Sequence, residues 1–430
     1  MKISLFQGIL FGIFGVAALI GLFVFATHTG NPSGDNTVGK VVIWGTLPRV
    51  DMQAVLTAVG QTETTMKDVS YVEKNPATLA SDLATAIATG GSPDLVLASQ
   101  EELHALSKFI TPIPSSTLPA RTFTNAFIGG GQIFTAPNGS GYWGIPFLVD
   151  PLALFWNRSI LASNGIAKPP ATWEALTGLV PKVAVLTPSR QIERGLIALG
   201  TYNNVQNARG ILSALFLQTG VPVSGYAASG ALVAALGAAT TGQAALGFYT
   251  QFADPSKVSY TWNASLRDSR STFLAGDTAL YLGYVSESRS LRTGNPNLDV
   301  DVMPLPQPGT AQVKTTYGRI YAFMIPRGTR NGAGAYQAAV LLTGADAQSA
   351  AATLTGLAPV VLNVLTDVPA DPVGAVAYTE ALYARGWLSP LSADTDAVFS
   401  GMINDVISGR SNLETALANA ERSLSALLQQ

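Results

Sequence analysis

The chain has 430 residues, a net charge of −2 at pH 7, no cysteine and only two histidines. This length is too great for one ordinary hydrophobic core, so we expect two lobes or domains. The weak charge and the lack of a long basic run argue against nucleic acid as a partner, because phosphate binding needs clustered Lys and Arg. Without cysteine there is no disulfide or thiolate chemistry, and two histidines leave little scope for imidazole catalysis. We expect neither a metal nor a cofactor.

The first 27 residues predict a membrane segment or a secretion signal. Lys2 precedes an almost charge-free apolar stretch over residues 3–26, long enough to cross a hydrocarbon core of roughly 30 Å. That length favours an uncleaved transmembrane anchor, whereas Val24 and Ala26 fit a signal-peptidase site after Ala26. Both alternatives place the rest of the chain outside the cytoplasm, either anchored to the cell membrane or secreted. The polar residues 28–39 predict a flexible linker.

The first part of the chain alternates between strand and helix patterns. Short apolar runs predict strands at 40–44, 69–71 and 94–98, and helical apolar spacing predicts helices at 52–60, 79–89 and 101–109. This alternation is typical of a parallel α/β sheet. Residues 112–141 are rich in Thr, Pro, Gly and Asn and predict an irregular segment.

The stretch from residue 145 to residue 156 organises the prediction. It is apolar on both faces, which favours a strand buried on both sides. Asp150 and Pro151 interrupt it, and a carboxylate in such a run is costly unless it is paired or faces a polar cleft. Since Pro151 cannot donate to a ladder, we expect the strand to change partners here and to pass from one lobe into the other.

The second part of the chain again mixes strands and helices. Apolar runs predict strands at 182–186, 279–282, 300–303 and 317–325, the last being a candidate return crossing between the lobes. Apolar spacing and composition predict helices at 194–199, 208–217, 229–250, 335–343, 346–354, 375–385, 395–408 and 412–428.

Several short motifs occur in an order that is familiar from one protein family. They are Ser92–Val96 followed by Glu101–Leu103, Gly144–Phe147 leading to Trp156–Asn157, Pro170–Leu176, Phe273–Leu280, Val302–Pro306 and Ala358–Val360. Over residues 40–430 the chain resembles the family 1 extracellular solute-binding proteins, the sugar-type binding components of ABC importers. Two departures stand out. The chain lacks the N-terminal lipoprotein Cys that is usual in bacteria without an outer membrane, and Val360–Leu362 replace the basic residues that often follow the proline.

The resemblance implies a two-lobed, type II periplasmic-binding-protein-like α/β fold, with parallel-rich sheets flanked by helices and a ligand cleft between the lobes. By position, the first lobe comprises residues 40–149 and 320–365, and the second comprises residues 150–319 and 366–430. The implied partners are a small solute, most simply a sugar, and the permease subunits of an ABC importer, with the membrane contacted through the N-terminal helix.

Candidate solute contacts lie at strand ends and at the crossing. Ligands of open α/β sheets bind beyond the carboxyl ends of the strands, and sugars need aromatic faces together with carboxylates and amides. On these grounds, and for Glu101, Asp150 and Tyr284 also on the resemblance, we predict ligand binding by Trp44, Thr46, Glu101, Asp150, Trp262, Tyr284, Tyr317 and Arg319. Each has a structural alternative: Trp44 can belong to the core, Glu101 can stabilise a helix start, Asp150 can cap the hinge and Arg319 can pair with a hinge carboxylate.

Two other functional classes compete with solute binding. A surface glycosidase or esterase would need a facing pair of acids or a nucleophile with its base, and the sequence shows neither arrangement, so we do not expect an enzyme. A surface adhesion or sensing protein can keep the same two-lobed fold without transport, because fold does not fix function. The leading hypothesis is an extracytoplasmic protein that captures a carbohydrate by hinge closure.

Overall fold

The computed structural model describes residues 38–237 and 240–430. The predicted anchor or signal, and nearly all of the predicted linker, lie outside the described residues. The first region contains strands β1 (Val41–Gly45), β2 (Val69–Glu73), β3 (Leu95–Ser99), β4 (Ile110–Thr111), β5 (Ile113–Pro114), β6 (Gly141–Tyr142) and β7 (Ile145–Asn157). Its α-helices are α1 (Arg49–Thr62), α2 (Leu79–Ala88), α3 (Gln100–Leu106) and α4 (Ala120–Ala126).

The middle region follows β7 directly. Its helices are α5 (Arg158–Ser163), α6 (Trp173–Thr177), α7 (Val180–Val183), α8 (Ala208–Gln218), α9 (Thr241–Thr250), α10 (Ser269–Ala275) and α11 (Ser288–Gly294). Its strands are β8 (Val185–Leu186), β9 (Ile192–Ile197), β10 (Val223–Tyr226), β11 (Leu232–Ala235), β12 (Thr278–Tyr284) and β13 (Val300–Pro304).

The last region begins with the long strand β14 (Thr316–Pro326) and is otherwise mostly helical. It contains α12 (Gly332–Leu342), α13 (Ala345–Thr355), β15 (Ala358–Pro359), α14 (Pro372–Tyr383), β16 (Ala384–Arg385), α15 (Ser392–Ile407) and α16 (Leu413–Leu428). Among the described residues, no helix combines the length and the hydrophobicity needed to cross a membrane.

One continuous sheet runs through both halves of the molecule, in the order β2-β1-β3-β14-β7-β12-β9-β8. The strand β1 pairs in parallel with β2 and with β3, as the alternation of strands and helices in the first region predicts. The strand β9 pairs in parallel with β12. The two long strands β7 and β14 lie antiparallel to each other in the middle and join the two halves.

The predicted change of partners in β7 is confirmed. From Ile145 to Pro151 the strand pairs with β14, and from Leu152 to Trp156 it pairs with β12. All thirteen residues of β7 are buried, which explains why the sequence is apolar on both faces. Because the first segment belongs to one part of the sheet and the second to the other, Asp150 and Pro151 lie at the junction of the two halves.

Three predicted elements in the second part are wrong. The predicted helix at 194–199 is the end of strand β9, which pairs with β12. The predicted helix at 229–250 begins instead with strand β11, which pairs with the preceding strand β10 in a hairpin, and its described helical part is α9 (Thr241–Thr250). The predicted strand at 182–186 is divided between helix α7 and strand β8. In each case pairing or packing with distant residues outweighs local composition.

Candidate functional site

Five of the eight predicted contact residues meet where β7 and β14 cross. Glu101 lies at the start of α3, Asp150 in β7, Tyr284 at the end of β12, and Tyr317 and Arg319 in β14. Arg319 is opposite Asp150 in the ladder. We call these five residues the junction cluster. Elements from both halves of the chain therefore bring charged and aromatic side chains together, at the ends of β3 and β12 and at the crossing of β7 with β14.

Glu101 is the centre of the junction cluster. Its Oε1 accepts a hydrogen bond from Tyr317 Oη at 2.6 Å, its Oε2 accepts one from Arg209 Nη2 at 2.9 Å, and Arg319 Nε lies 3.6 Å from Oε1. Glu101 is only 6% exposed. Burial acts to raise its pKa, but the charges of Arg319 and Arg209 and the Tyr317 hydroxyl outweigh it and hold the pKa below its usual value. The side chain is therefore a buried, ionised carboxylate.

The local sequence places Glu101 by capping its helix. Ser99 ends β3 and is the N-cap of α3, where its hydroxyl accepts from the Glu101 amide and its own amide donates to the Glu102 carboxylate at 2.9 Å. The next residue after the cap, Gln100, is fully buried and donates to the carbonyl of Gly318 in β14 at 3.1 Å. The helix start is thus fixed against the crossing strand, and Glu101 is held rigidly at the junction.

Asp150 caps the segment that follows β12. The Ser286 amide donates to its Oδ1 at 3.1 Å, and the Ser286 hydroxyl donates to its Oδ2 at 2.7 Å. Burial raises the pKa of Asp150 to about 6, against the opposing effects of the Ser286 hydrogen bonds and the Arg319 charge. In this conformation the carboxylate ties β7 to the second half of the chain, which is the hinge-capping role that the sequence left open.

The ring of Tyr284 packs between Arg319 and helix α8 and is buried. The guanidinium carbon of Arg319 lies 4.0 Å from the centre of its ring, a cation–π arrangement. Tyr284 is 2% exposed, and its hydroxyl approaches α8 so closely that a Cβ added to Gly210 would lie 2.5 Å from it. Glycine at position 210 is therefore required for this ring to pack against α8.

The other three predicted contacts have different surroundings. Trp44 is half-buried at the end of β1, with the Lys74 ammonium 3.8 Å from its ring centre, and the amide of Thr46 donates to the carbonyl of Leu97. Trp262 is fully buried, and its Nε1 donates to Asn204 Oδ1 at 3.3 Å. Its ring packs in the hydrophobic core, and its predicted contact with solute stays a prediction. Among the described residues, no group of three or more His, Cys, Asp or Glu side chains is arranged to hold a metal ion.

The sequence missed Arg209, the residue that joins Glu101 to the second half. Arg209 is the second residue of α8 and also lies 3.8 Å, measured from Nε, from the Asp396 carboxylate of α15. It is the only charged residue in the otherwise apolar α8, and that isolation is the signal that could have identified it. Ser286 and Asp396 carried no comparable signal, because polar residues of these types are common at helix starts.

The family model for bacterial extracellular solute-binding proteins matches residues 61–376 of this sequence. The chain belongs to this family. A search of curated proteins gives no match.

Solved structures of solute-binding proteins share the fold at low identity. A cyclo/maltodextrin-binding protein complexed with maltotetraose superposes with a TM-score of 0.75 and 17% identity, covering 93% of this chain and 99% of that chain. A cyclic alpha-maltosyl-1,6-maltose binding protein from Arthrobacter globiformis gives 0.73 and 16%, covering 91% and 99%. A Thermus thermophilus maltotriose binding protein bound with maltotriose gives 0.63 and 18%, covering 90% and 99%.

The family and the fold settle the class of protein. The resemblance to extracellular solute-binding proteins is confirmed, and so is the two-lobed mixed α/β fold. Membership also confirms a binding protein rather than an enzyme and places its described part outside the cytoplasm. The junction cluster lies where β7 and β14 pair in the middle of the sheet of this solute-binding fold.

Proposed function

We propose that this solute-binding protein captures a carbohydrate, an oligosaccharide or a related polar solute, by hinge closure and delivers it to an ABC importer. The observation that carries the proposal is the convergence of Glu101, Asp150, Tyr284, Tyr317 and Arg319 at the crossing of β7 and β14. Carboxylates and a guanidinium fix hydroxyl groups, and tyrosine rings stack on the C–H faces of sugars. Structures that share the fold hold maltotetraose and maltotriose, which supports the same solute class here.

The two crossing strands supply the hinge. We propose that the first lobe comprises residues 40–149 and 320–365 and the second residues 150–319 and 366–430. The switch of β7 from β14 to β12 after Pro151 supports a boundary at this point. A rotation about the crossing would separate Glu101 from Arg209 and open the junction cluster to solute, and closure would exclude water from it.

The partners and the attachment of the protein complete the proposal. We propose that the first 27 residues either anchor the protein in the cell membrane or act as a signal cleaved after Ala26, and that ABC permease subunits receive the solute. The apolar composition of residues 3–26 supports the first point, and membership of the solute-binding family supports the second.

A thermal-shift screen of the purified chain, in a detergent without a sugar head group, tests the function. At 100 times its dissociation constant a solute stabilises the protein by about 2.7 kcal/mol, which for a chain of this size raises Tm by roughly 3 °C. We expect neutral oligosaccharides such as maltotriose to give this shift, and amino acids, polyamines and phosphate to give none. Because Tyr284 and Asp150 lie in the junction cluster, Tyr284→Ala and Asp150→Ala proteins that still unfold cooperatively should lose the shift. The control Tyr226→Ala, at a half-exposed ring, should keep it.

A folded protein that responds to no sugar would count against transport and favour the alternative of a surface adhesion or sensing protein. One observation favours that alternative: the carboxylates of Glu101 and Asp150 are already hydrogen-bonded within the chain. A search for a protein partner would then replace the solute screen.

A further inference from the structure

Arg209 is held between two parts of the molecule. Its Nη2 donates to Glu101 Oε2 at 2.9 Å, and its Nε lies 3.8 Å from Asp396 Oδ1. Its side chain is 14% exposed. Glu101 belongs to α3, which follows the strand β3, whereas Asp396 belongs to α15, the second-to-last helix. The guanidinium therefore has a fixed orientation at the interface of the two lobes.

One nitrogen of this guanidinium makes no hydrogen bond to the described residues. Arg209 Nη1 is buried and has no hydrogen-bond partner among the described residues. Buried donors are nearly always paired, because an unpaired polar group that is buried loses its hydrogen bonds to water without replacement. The two carboxylates beside Arg209 have other donors as well, since Glu101 accepts from Tyr317 and Asp396 accepts from Tyr202. A rigid donor without an acceptor, in the junction between the lobes, is what a binding site for an oxygen-bearing solute requires.

The charges around Arg209 indicate which kind of oxygen fits. The two positive charges of Arg209 and Arg319 face the carboxylates of Glu101, Asp150 and Asp396. The positive charges are therefore already balanced within the protein. A solute that carried a carboxylate or a phosphate would add negative charge beside Glu101 without an unpaired cation to meet it. A neutral hydroxyl oxygen adds no charge.

We propose that Arg209 is a solute-binding residue of the second lobe and that its Nη1 donates to a hydroxyl oxygen of a neutral saccharide. This inference rests on the proposed function and extends it, because it names a contact residue and selects uncharged over acidic sugars. Glu101 and Asp396 act as positioning residues that aim the guanidinium. The sequence signal is the single charged residue of an apolar helix.

Isothermal titration of the full chain tests the proposal, with maltotriose and the other neutral oligosaccharides of the screen as probes. Arg209→Lys keeps a positive charge beside Glu101 but removes the forked donor. Because a hydrogen bond from a charged donor is lost, we expect Kd to rise about 10- to 100-fold, with little change in Tm of the solute-free protein. The matched control is Arg194→Lys, a partly buried arginine of the same lobe that donates to the Val183 carbonyl, and its Kd should equal that of the wild type.

Two further measurements separate solute contact from a purely structural role. The first compares the parent sugar with analogues that each lack one hydroxyl group. One analogue should bind the wild-type protein about 10-fold or more weakly than the parent sugar does. The Arg209→Lys protein should bind that analogue and the parent sugar equally well. A trisaccharide ending in a uronic acid should bind wild type at least 10-fold more weakly than its neutral counterpart.

Unchanged Kd in Arg209→Lys, or an equal loss for the parent sugar and every deoxy analogue, would overturn the role of Arg209. Tighter binding of the acidic sugar would overturn the selection of neutral solutes. If the wild-type protein binds no sugar at all, the proposed function itself fails. That result is distinct from a failure of the Arg209 proposal, because it is seen in the wild-type protein alone.

Discussion

Replacing Glu101 by alanine is expected to lower the free energy of unfolding by about 3–5 kcal/mol. The substitution leaves Arg209 and Arg319 side by side without the carboxylate that both of them face, and it removes the acceptor of the buried Tyr317 hydroxyl. A buried charge without its partner keeps its desolvation cost and loses the compensating attraction. Urea unfolding followed by circular dichroism measures the loss, compared with wild type in the same buffer.

The control for this prediction is Glu63→Ala at an exposed position. We expect Glu63→Ala to change the free energy of unfolding by less than about 0.5 kcal/mol, as exposed substitutions usually do. Glu101→Gln should lie between the two, because the amide oxygen still accepts a hydrogen bond but carries no charge. A loss below about 1 kcal/mol in Glu101→Ala would show that the ion pairs are solvated and do not hold the lobes together.

Replacing Glu380 by glutamine is expected to remove a pH dependence of stability worth on the order of 4 kcal/mol. Glu380 lies in α14, is 2% exposed and has one carboxyl oxygen without a hydrogen-bond partner among the described residues. Burial raises its pKa from 4.5 to about 8, and the nearby Thr316 and the Leu305 backbone counter this only in part. Between pH 4.5 and pH 8 the native state therefore holds a proton that the unfolded state has released. Wild type loses the contribution of Glu380 to stability as the pH rises through this window, whereas Glu380→Gln has no such contribution to lose.

The measurement is the difference in free energy of unfolding between Glu380→Gln and wild type at several pH values from 5 to 9. The difference should grow in favour of the variant as the pH rises and level off above about pH 8. The exposed control Glu63→Gln should show no such trend. A difference that is constant with pH would mean that Glu380 is ionised in the native state and has a partner at neutral pH.

The sequence was sufficient to predict a structural feature where a residue departs from the pattern of its neighbours. Asp150 and Pro151 are unusual in a strand that is apolar on both faces, and they mark the point where β7 changes partners. The position of a residue just after a predicted strand was the second useful signal, because open α/β sheets bring the carboxyl ends of their strands together. Glu101 and Tyr284 meet at the junction for this reason, whereas Tyr317 and Arg319 lie near the start of β14 and reach it through the crossing with β7.

The sequence was insufficient where distant pairing decides the structure. Residues 194–199 contain good helix formers, yet most of them extend a strand because β12 lies beside them. Trp262 has loop-like neighbours in the sequence, and these do not predict that its ring is fully buried with its Nε1 bonded to Asn204. The contact of Glu101 with Arg209 spans 108 residues. Local spacing carries no information about such a contact. The sequence therefore predicted Glu101 and Arg319 as site residues but not Arg209 and Asp396, which belong to the same ion-pair network.

The crossing of β7 and β14 has an energetic consequence for affinity. If the proposed hinge lies at this crossing, the opposed Asp150 and Arg319 would stay together when the lobes part, because atoms close to an axis of rotation move least. In the proposed division into lobes, the contact between Glu101 and Arg209 would join side chains of different lobes and would have to break before solute could enter. Since apparent affinity scales with the fraction of molecules that are competent to bind, the strength of this internal contact sets how tightly the protein holds any solute. In this proposal Glu101 and Arg209 act twice: they pair with each other in the solute-free protein, and they belong to the solute site once the lobes have parted.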